Sequence, residues 1–150
     1  MISVVIPTYK SPEYLDWCLH SCIEGQTFDT NEIIVIVDGH YEMSEDVLKK
    51  YEGKIKVVDL GSNKGMCYAL NTGLWYVTNE WFLIVNDDNV FPNAWDIRLG
   101  NKFQPGWVWA IGKSFKAGNM TIPVNLYAIP DNDGWLYGFS FGYALHKKNL

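Results

Sequence analysis

Arginine is almost missing from this chain: Arg98 is the one arginine among 12 basic residues in 150. Seventeen acidic residues outnumber the basic ones, and the formal charge is −5. A protein that lives on nucleic-acid phosphate shows a basic face, and a binder of anionic membranes needs a basic patch, so the composition argues against both. Any phosphate held here is held by lysine, backbone N–H groups or a metal, not by an arginine cluster. Cysteine is scarce as well. Cys18, Cys22 and Cys67 form an odd set without framework spacing, which excludes a disulfide scaffold. The i, i+4 pair Cys18 and Cys22 reads as apolar filler on one helix face, and His20 adds too little to make a zinc site. No apolar run reaches the ~18 residues of a membrane span. Met1 leads directly into a strand-like segment, with no basic leader and no cleavage site. The expectation is a cytoplasmic protein with no membrane span and no nucleic-acid partner.

The familiar phosphate loops are missing too. No GxGxxG follows the first strand-like run and no GxxxxGK[ST] occurs anywhere, which removes the usual dinucleotide oxidoreductases and P-loop NTPases. No GxSxG elbow supports an α/β-hydrolase. Apolar residues, in contrast, are abundant. At 48% hydrophobic and 15% aromatic the chain can bury the core of one domain, residues 1–150. Seven tryptophans serve mostly as core and rim, with stacking platforms for bases or sugars as the sharper alternative.

Strand and helix patterns alternate from the first residue. Ile2-Ser3-Val4-Val5-Ile6 is a β-branched run stopped by Pro7, apolar enough for a strand covered on both faces. Ser11 and Pro12 open a helix whose buried face takes Tyr14, Leu15, Cys18, Leu19, Cys22 and Ile23, with Gly25 at its end. Ile33 to Val37 form a second buried strand ending at Asp38-Gly39. Ser44 starts a short helix that runs to about Tyr51, and Ile55 to Leu60 form a third strand. Ser62 or Asn63 caps a third helix with Met66, Ala69, Leu70, Gly73, Leu74 and Val77 on one face. Trp81 to Val85 form a fourth strand that runs into Asn86-Asp87-Asp88-Asn89. This order predicts an α/β domain: a Rossmann-like, mostly parallel sheet with helices on both faces. After Pro92 the rhythm breaks. A helix over 93–103, strands over 107–111 and 122–129, and a turn at Asp131-Asn132-Asp133-Gly134 are expected there.

In an open parallel sheet, ligands collect at the carboxyl ends of the strands. Those ends gather Pro7-Thr8-Tyr9-Lys10, Asp38-Gly39-His40, Gly61 to Gly65, and Asn86 to Asn89. Each feature alone has an ordinary explanation: a loop tyrosine, an Asp-Gly turn, a helix cap, a solvated acidic pair. Their joint placement is harder to dismiss. Adjacent carboxylates repel unless a cation or protons intervene, and a hard divalent metal with oxygen ligands is the economical partner. A diphosphate held through such a metal needs no arginine.

These blocks resemble a known family. Ile2 to Tyr9 with Leu15 to Gln26, Glu32 to Gly39, Asn63-Lys64-Gly65 with Ala69, Asn71, Gly73 and Leu74, and Asn86 to Asn89 with Pro92 are similar, in order and spacing, to family-two inverting glycosyltransferases of GT-A fold. The Asp-Asp-Asn form is similar to the spore-coat-polysaccharide branch. A weaker fifth block, Gly142 to Lys148, resembles the strand before the helix that precedes the catalytic base.

The resemblance implies a nucleotide-diphospho-sugar transferase fold, with residues 1–95 as the nucleotide-sugar-binding half and 96–150 as a partial acceptor-side half. It implies that Pro7, Thr8 and Tyr9 line the nucleotide base, with Tyr9 stacked on it. Asp38 would accept from a pyrimidine N3–H, and Asn63 or Lys64 would reach the base or its phosphate side. Asp87 would hold the ribose. Asp88 would coordinate the cofactor, Mn²⁺ or Mg²⁺. His146 is either a second group near the metal or a plain strand-end histidine. The implied partners are a nucleotide-sugar donor, uridine-linked, and a saccharide or other hydroxyl acceptor.

Two departures stand out: Val37 replaces a first Asp frequent in the family, and Asn86 stands at the first position of a literal DxD. The family's base falls beyond Leu150, as if the chain were truncated. After Asp96 the only acids are Asp131 and Asp133, both poor candidates in a Gly-containing turn. A second reading therefore stays open: a nucleotide-sugar-binding module that lacks the general base.

Overall fold

The computed structural model describes residues 1–29 and 31–100 and, beyond them, the backbone of five further strands. The elements, in order, are β1 (Ile2–Thr8), α1 (Pro12–Gly25), β2 (Glu32–Val37), α2 (Tyr41–Lys50), β3 (Lys56–Asp59), α3 (Met66–Trp75), β4 (Trp81–Ile84) and α4 (Trp95–Gly100). They are followed by β5 (Trp107–Ile111), β6 (Phe115–Ala117), β7 (Met120–Ile122), β8 (Tyr127–Pro130) and β9 (Gly142–His146).

Seven strands form one sheet in the order β3-β2-β1-β4-β9-β5-β8. The β3-β2-β1-β4 part is parallel throughout, and the pairings β4–β9, β9–β5 and β5–β8 are antiparallel. Strands β2, β1 and β4 are covered on both faces, as their unbroken apolar runs require, while β3 is a largely exposed edge strand. On one face Val4, Ile6, Val35 and Leu83 meet Leu15, Cys18, Leu19, Cys22, Leu48 and Trp95 from the helices α1, α2 and α4. On the other, Val5, Ile34, Ile36 and Phe82 meet Ala69 of α3 and Val77 beyond it. Each buried branched side chain of this kind stabilises the fold by about 1.5–3 kcal/mol. Gly73 lets α3 lie close on the sheet, because a Cβ there would collide with Val5 and lie 3.1 Å from Ile36 Cγ1.

Several expected boundaries move. Ser11 stands at the N-cap of α1 without capping through its side chain, and its hydroxyl donates instead to the Tyr9 carbonyl at 2.9 Å. Tyr14 is 53% exposed, at the margin of the apolar stripe rather than within it. Helix α2 begins at Tyr41, not Ser44, because His40 in a left-handed conformation (φ 57°) turns the chain early; Ser44 is buried inside the helix. Helix α3 begins at Met66, after Gly65 at φ 90°, and neither Ser62 nor Asn63 caps it. Met66 is 54% exposed. The single strand expected over 122–129 is two strands in two sheets, β7 with β6 and β8 with β5. Helix α4 is described as Trp95–Gly100, so the expected end of that helix near 103 lies outside the described residues, as do the 131–134 turn, Asp131 and Asp133.

Candidate functional site at the carboxyl edge of the sheet

The parallel strands β1, β2, β3 and β4 all point their carboxyl ends to one edge, and backbone pairing continues into the loops there. Asp38 N–H donates to the Thr8 carbonyl at 2.9 Å, Leu60 N–H to Val37 at 3.0 Å, and Val85 N–H to Val5 at 3.0 Å. The first residues after β2, β3 and β4 are therefore fixed by the sheet itself.

Strand β1 delivers Thr8, buried, and Tyr9, 41% exposed. The Thr8 hydroxyl donates to Asp87 Oδ2 at 2.7 Å, which ties the end of β1 to the turn after β4. The Tyr9 ring meets His40 edge-on, with centroids 5.8 Å apart, and Lys10 Nζ lies 5.1 Å from the Tyr9 centroid. Lys10 and His40 both adopt positive φ. His40 is in turn 3.1 Å from Glu42 through Nδ1. The sequence places His40 only at a turn, and its position beside Tyr9 depends on the early start of α2.

Asp38 is 5% exposed. Its Oδ1 accepts the Lys64 N–H at 2.6 Å and its Oδ2 the Gly65 N–H at 3.0 Å. The side chains of Asn63 and Lys64 are exposed. A carboxylate against the amino end of α3 is favoured by the helix dipole and supplies, from 26 residues away, the anchor that no local residue provides.

The turn Asn86-Asp87-Asp88-Asn89 folds back on itself. The Asn89 backbone N–H and side-chain Nδ2 both donate to the Asn86 carbonyl, at 3.2 and 3.0 Å. Asn89 is buried and shapes the turn, which places Asp88 outward and exposed. Burial pushes the Asp87 carboxyl above its ordinary range; the Asp88 charge adds to this, and the hydrogen bonds from Thr8 and the Tyr9 N–H oppose it. Trp95 Nε1 donates to the Cys22 carbonyl at 2.8 Å, and Phe91 N–H to Ser21 Oγ at 3.0 Å, so the segment after the turn is anchored on α1.

Pro7, Thr8, Tyr9, Asp38, Asn63, Lys64, Asp87 and Asp88 thus lie at the carboxyl ends of four adjacent strands. His146 does not: its position in β9 is paired with Trp81, at the amino end of β4, whereas Tyr143 is paired with Ile84. An antiparallel strand reverses which of its ends reaches the site, and the sequence does not encode that reversal locally. Cys18 and Cys22 are buried and Cys67 is exposed. No group of three His, Cys, Asp or Glu side chains among the described residues is arranged to hold a metal.

Residues 3–139 match the profile of Glycosyl transferase family 2. The chain belongs to that family. It is 26% identical over 151 aligned residues to Glycosyltransferase GlyA of Streptococcus pneumoniae, an alignment that covers 98% of this chain and 20% of GlyA. Its fold is similar to S. aureus TarS 1-349, solved in complex with UDP-GlcNAc, with a TM-score of 0.66 and 25% identity over 82% of this chain and 37% of that one. The mannosyltransferase PcManGT of Pyrobaculum calidifontis, solved with GDP-Man and Mn²⁺, shares the fold with a TM-score of 0.63 at 22% identity, covering 74% of this chain and 34% of its own. The chain therefore spans well under half the length of these relatives. No helix among the described residues is long and apolar enough to cross a membrane.

Proposed function

We propose that this chain is the donor-binding part of an inverting glycosyltransferase that takes a uridine-linked nucleotide-diphospho-sugar and holds its diphosphate through a divalent cation at Asp88. The observation that carries the reading is the Thr8–Asp87 hydrogen bond of 2.7 Å, which joins the Pro7–Tyr9 segment to the acidic turn as one unit. Family membership supports a transferase, and the UDP-GlcNAc held by TarS supports a uridine donor.

The donor set fits a hard cation. Two adjacent carboxylates, one exposed and one raised by burial and by its neighbour, make a locally negative turn that a cation relieves. Magnesium-type ions take one or two protein carboxylates and draw their remaining ligands from phosphate and water, so a cage of three protein ligands is not required. Asp88 would hold the ion, which when bound neutralises charge on the departing diphosphate. Tyr9, 41% exposed, would stack on the base, Asp87, held by Thr8, would take the ribose, and Lys64 would bring a cation to the same edge in place of arginine. Direct displacement at the anomeric carbon also needs a general base within hydrogen-bond reach of the acceptor hydroxyl. None of the described residues is assigned that role.

Calorimetric titration with UDP, GDP, CDP and dTDP, each with and without Mn²⁺, tests the reading. UDP is expected to bind tightest and only with the metal. Metal-free UDP binding of equal strength removes the cation from the proposal, and no binding by any of the four overturns it.

A further inference from the structure

We propose that His40 is a positioning residue: its imidazole, pinned by Glu42, sets the Tyr9 ring for stacking on the nucleobase. The inference deepens the donor-binding reading above and rests on it. The sequence resemblance implies a role for Tyr9 and none for His40. Three observations carry it.

First, among the described residues the aromatic and cationic neighbours of the Tyr9 ring are His40 and Lys10, and they differ in stiffness. The His40 ring meets Tyr9 at a centroid distance of 5.8 Å and an interplanar angle of 62°. Aromatic pairs favour such edge-to-face arrangements, because the positive edge of one ring meets the negative face of the other. Lys10 Nζ, 5.1 Å from the Tyr9 centroid, sits on a long flexible stem that gives way readily. The imidazole is stiffer and is held by a further contact. Second, that contact is Glu42, whose Oε1 lies 3.1 Å from His40 Nδ1. The Glu42 carboxyl is held below its ordinary range by its own backbone N–H and by His40, so it is ionised at neutral pH. A carboxylate only accepts hydrogen bonds, so His40 Nδ1 carries the proton and donates. Third, the backbone keeps His40 in place at a conformational cost. Its φ is 57°, in the left-handed region that residues with a Cβ seldom adopt, directly after Gly39 at 87°. The Met43 N–H donates to the His40 carbonyl at 3.0 Å, in the opening turn of α2. A turn alone would be met with less strain by glycine or asparagine. A left-handed histidine whose ring lies against Tyr9 is accounted for by what its side chain does.

A residue that acts through Tyr9 loses its effect when Tyr9 is gone. The experiment measures UDP affinity by calorimetry, in the presence of Mn²⁺, for the parent, His40→Asn, His40→Phe, Tyr9→Ala and the double variant of Tyr9→Ala with His40→Asn. Asparagine tolerates the left-handed turn and lacks the ring, so His40→Asn separates the ring from the backbone. It is expected to weaken UDP by about threefold or more, and His40→Phe to recover affinity to within about twofold of the parent. In the Tyr9→Ala background, His40→Asn should change affinity by less than about 1.5-fold. The free protein is also compared by NMR with labelled tyrosine, the Tyr9 ring signals being those that vanish in Tyr9→Phe. In His40→Asn they should move more than those of any other tyrosine, because the ring current of the imidazole is lost. Parent-like UDP affinity in His40→Asn overturns the proposal, as does an equal loss with and without Tyr9. A His40→Phe variant that binds no better than His40→Asn, or an unmoved Tyr9 signal, overturns it too. If the parent itself does not bind UDP, the donor-binding reading fails, while the Tyr9 signal still decides whether His40 sets that ring.

Discussion

The two edges of the parallel sheet finish their polar groups in opposite ways. At the amino edge the side chains close on one another. Ser3 Oγ donates to Glu32 Oε2 at 2.7 Å, the same oxygen accepts the Thr78 N–H at 3.0 Å, and Asn79 Nδ2 donates to Ser3 Oγ at 3.2 Å. Nearby, Asp96 Oδ2 accepts from Thr27 N–H, Phe28 N–H and Asn31 Nδ2 at 2.8–2.9 Å, binding the α1–β2 connection to α4. At the carboxyl edge, Tyr9, Asn63, Lys64 and Asp88 remain exposed, while the backbone beneath them adopts positive φ at Lys10, Gly39, His40, Gly61 and Gly65. A non-glycine residue in that region costs on the order of 1–2 kcal/mol, so Lys10 and His40 are held there by their surroundings. One edge uses its polar groups to stabilise the fold. The other uses buried anchors, Thr8 and Asp38, to keep exposed groups in a fixed arrangement.

The largest effect that separates the edges is expected from Asp88→Asn, which should weaken metal-dependent UDP binding by about 100-fold. Its thermal midpoint should stay near that of the parent, and calorimetry beside a melting curve checks both.

Asp96→Ala should do the reverse. It leaves three backbone N–H groups without their acceptor and is expected to cost about 2–3 kcal/mol in urea unfolding, with nucleotide affinity of the folded protein unchanged. Asp96 also carries a pH signature. Burial alone would raise its carboxyl, but the N–H groups of Phe28, Thr27 and Ile97 together with Asn31 outweigh that and hold it below its ordinary value. Its contribution is therefore fully present above the unfolded carboxylate value of about 3.9 and is lost as pH falls through the lower folded value. Urea midpoints measured from pH 6 downward should fall more steeply in the parent than in Asp96→Asn. Equal slopes would show that Asp96 adds nothing to acid stability.

Tyr9→Ala should weaken nucleotide binding by about tenfold through lost stacking, and Tyr9→Phe should retain most of the affinity. Competition with a fluorescent nucleotide resolves the difference. The smallest effect belongs to Glu32→Gln, which should cost about 1 kcal/mol of stability and leave binding untouched. A binding defect there would blur the contrast between the two edges.

Much of this is legible in the residues. β-branched runs such as Ile33 to Val37 are apolar at every position, which suits only a strand covered on both faces, and parallel strands send all their carboxyl ends to one side. That is why Tyr9, Asp38, Lys64 and Asp88 group together on the strength of chain pattern alone. The start of α2 is less legible, because a left-handed His40 leaves no composition signal. The same holds for the start of α3, whose anchor is 26 residues distant in the chain. The antiparallel half is harder still. Gly142 to His146 reads as a strand, but its direction decides which end faces the site, and strand direction is set by pairing with β4.

The sequence by itself determined the parallel α/β core and the kinds of side chain at its carboxyl edge, because period and apolar runs are local properties of the chain. Only the tertiary structure decided what each of those side chains is bound to. Thr8 finds Asp87 across 79 residues, and Asp38 turns both oxygens to a backbone it meets only once the strands are paired. Hydrogen bonds of that range depend on register and loop geometry, which no single segment of sequence contains.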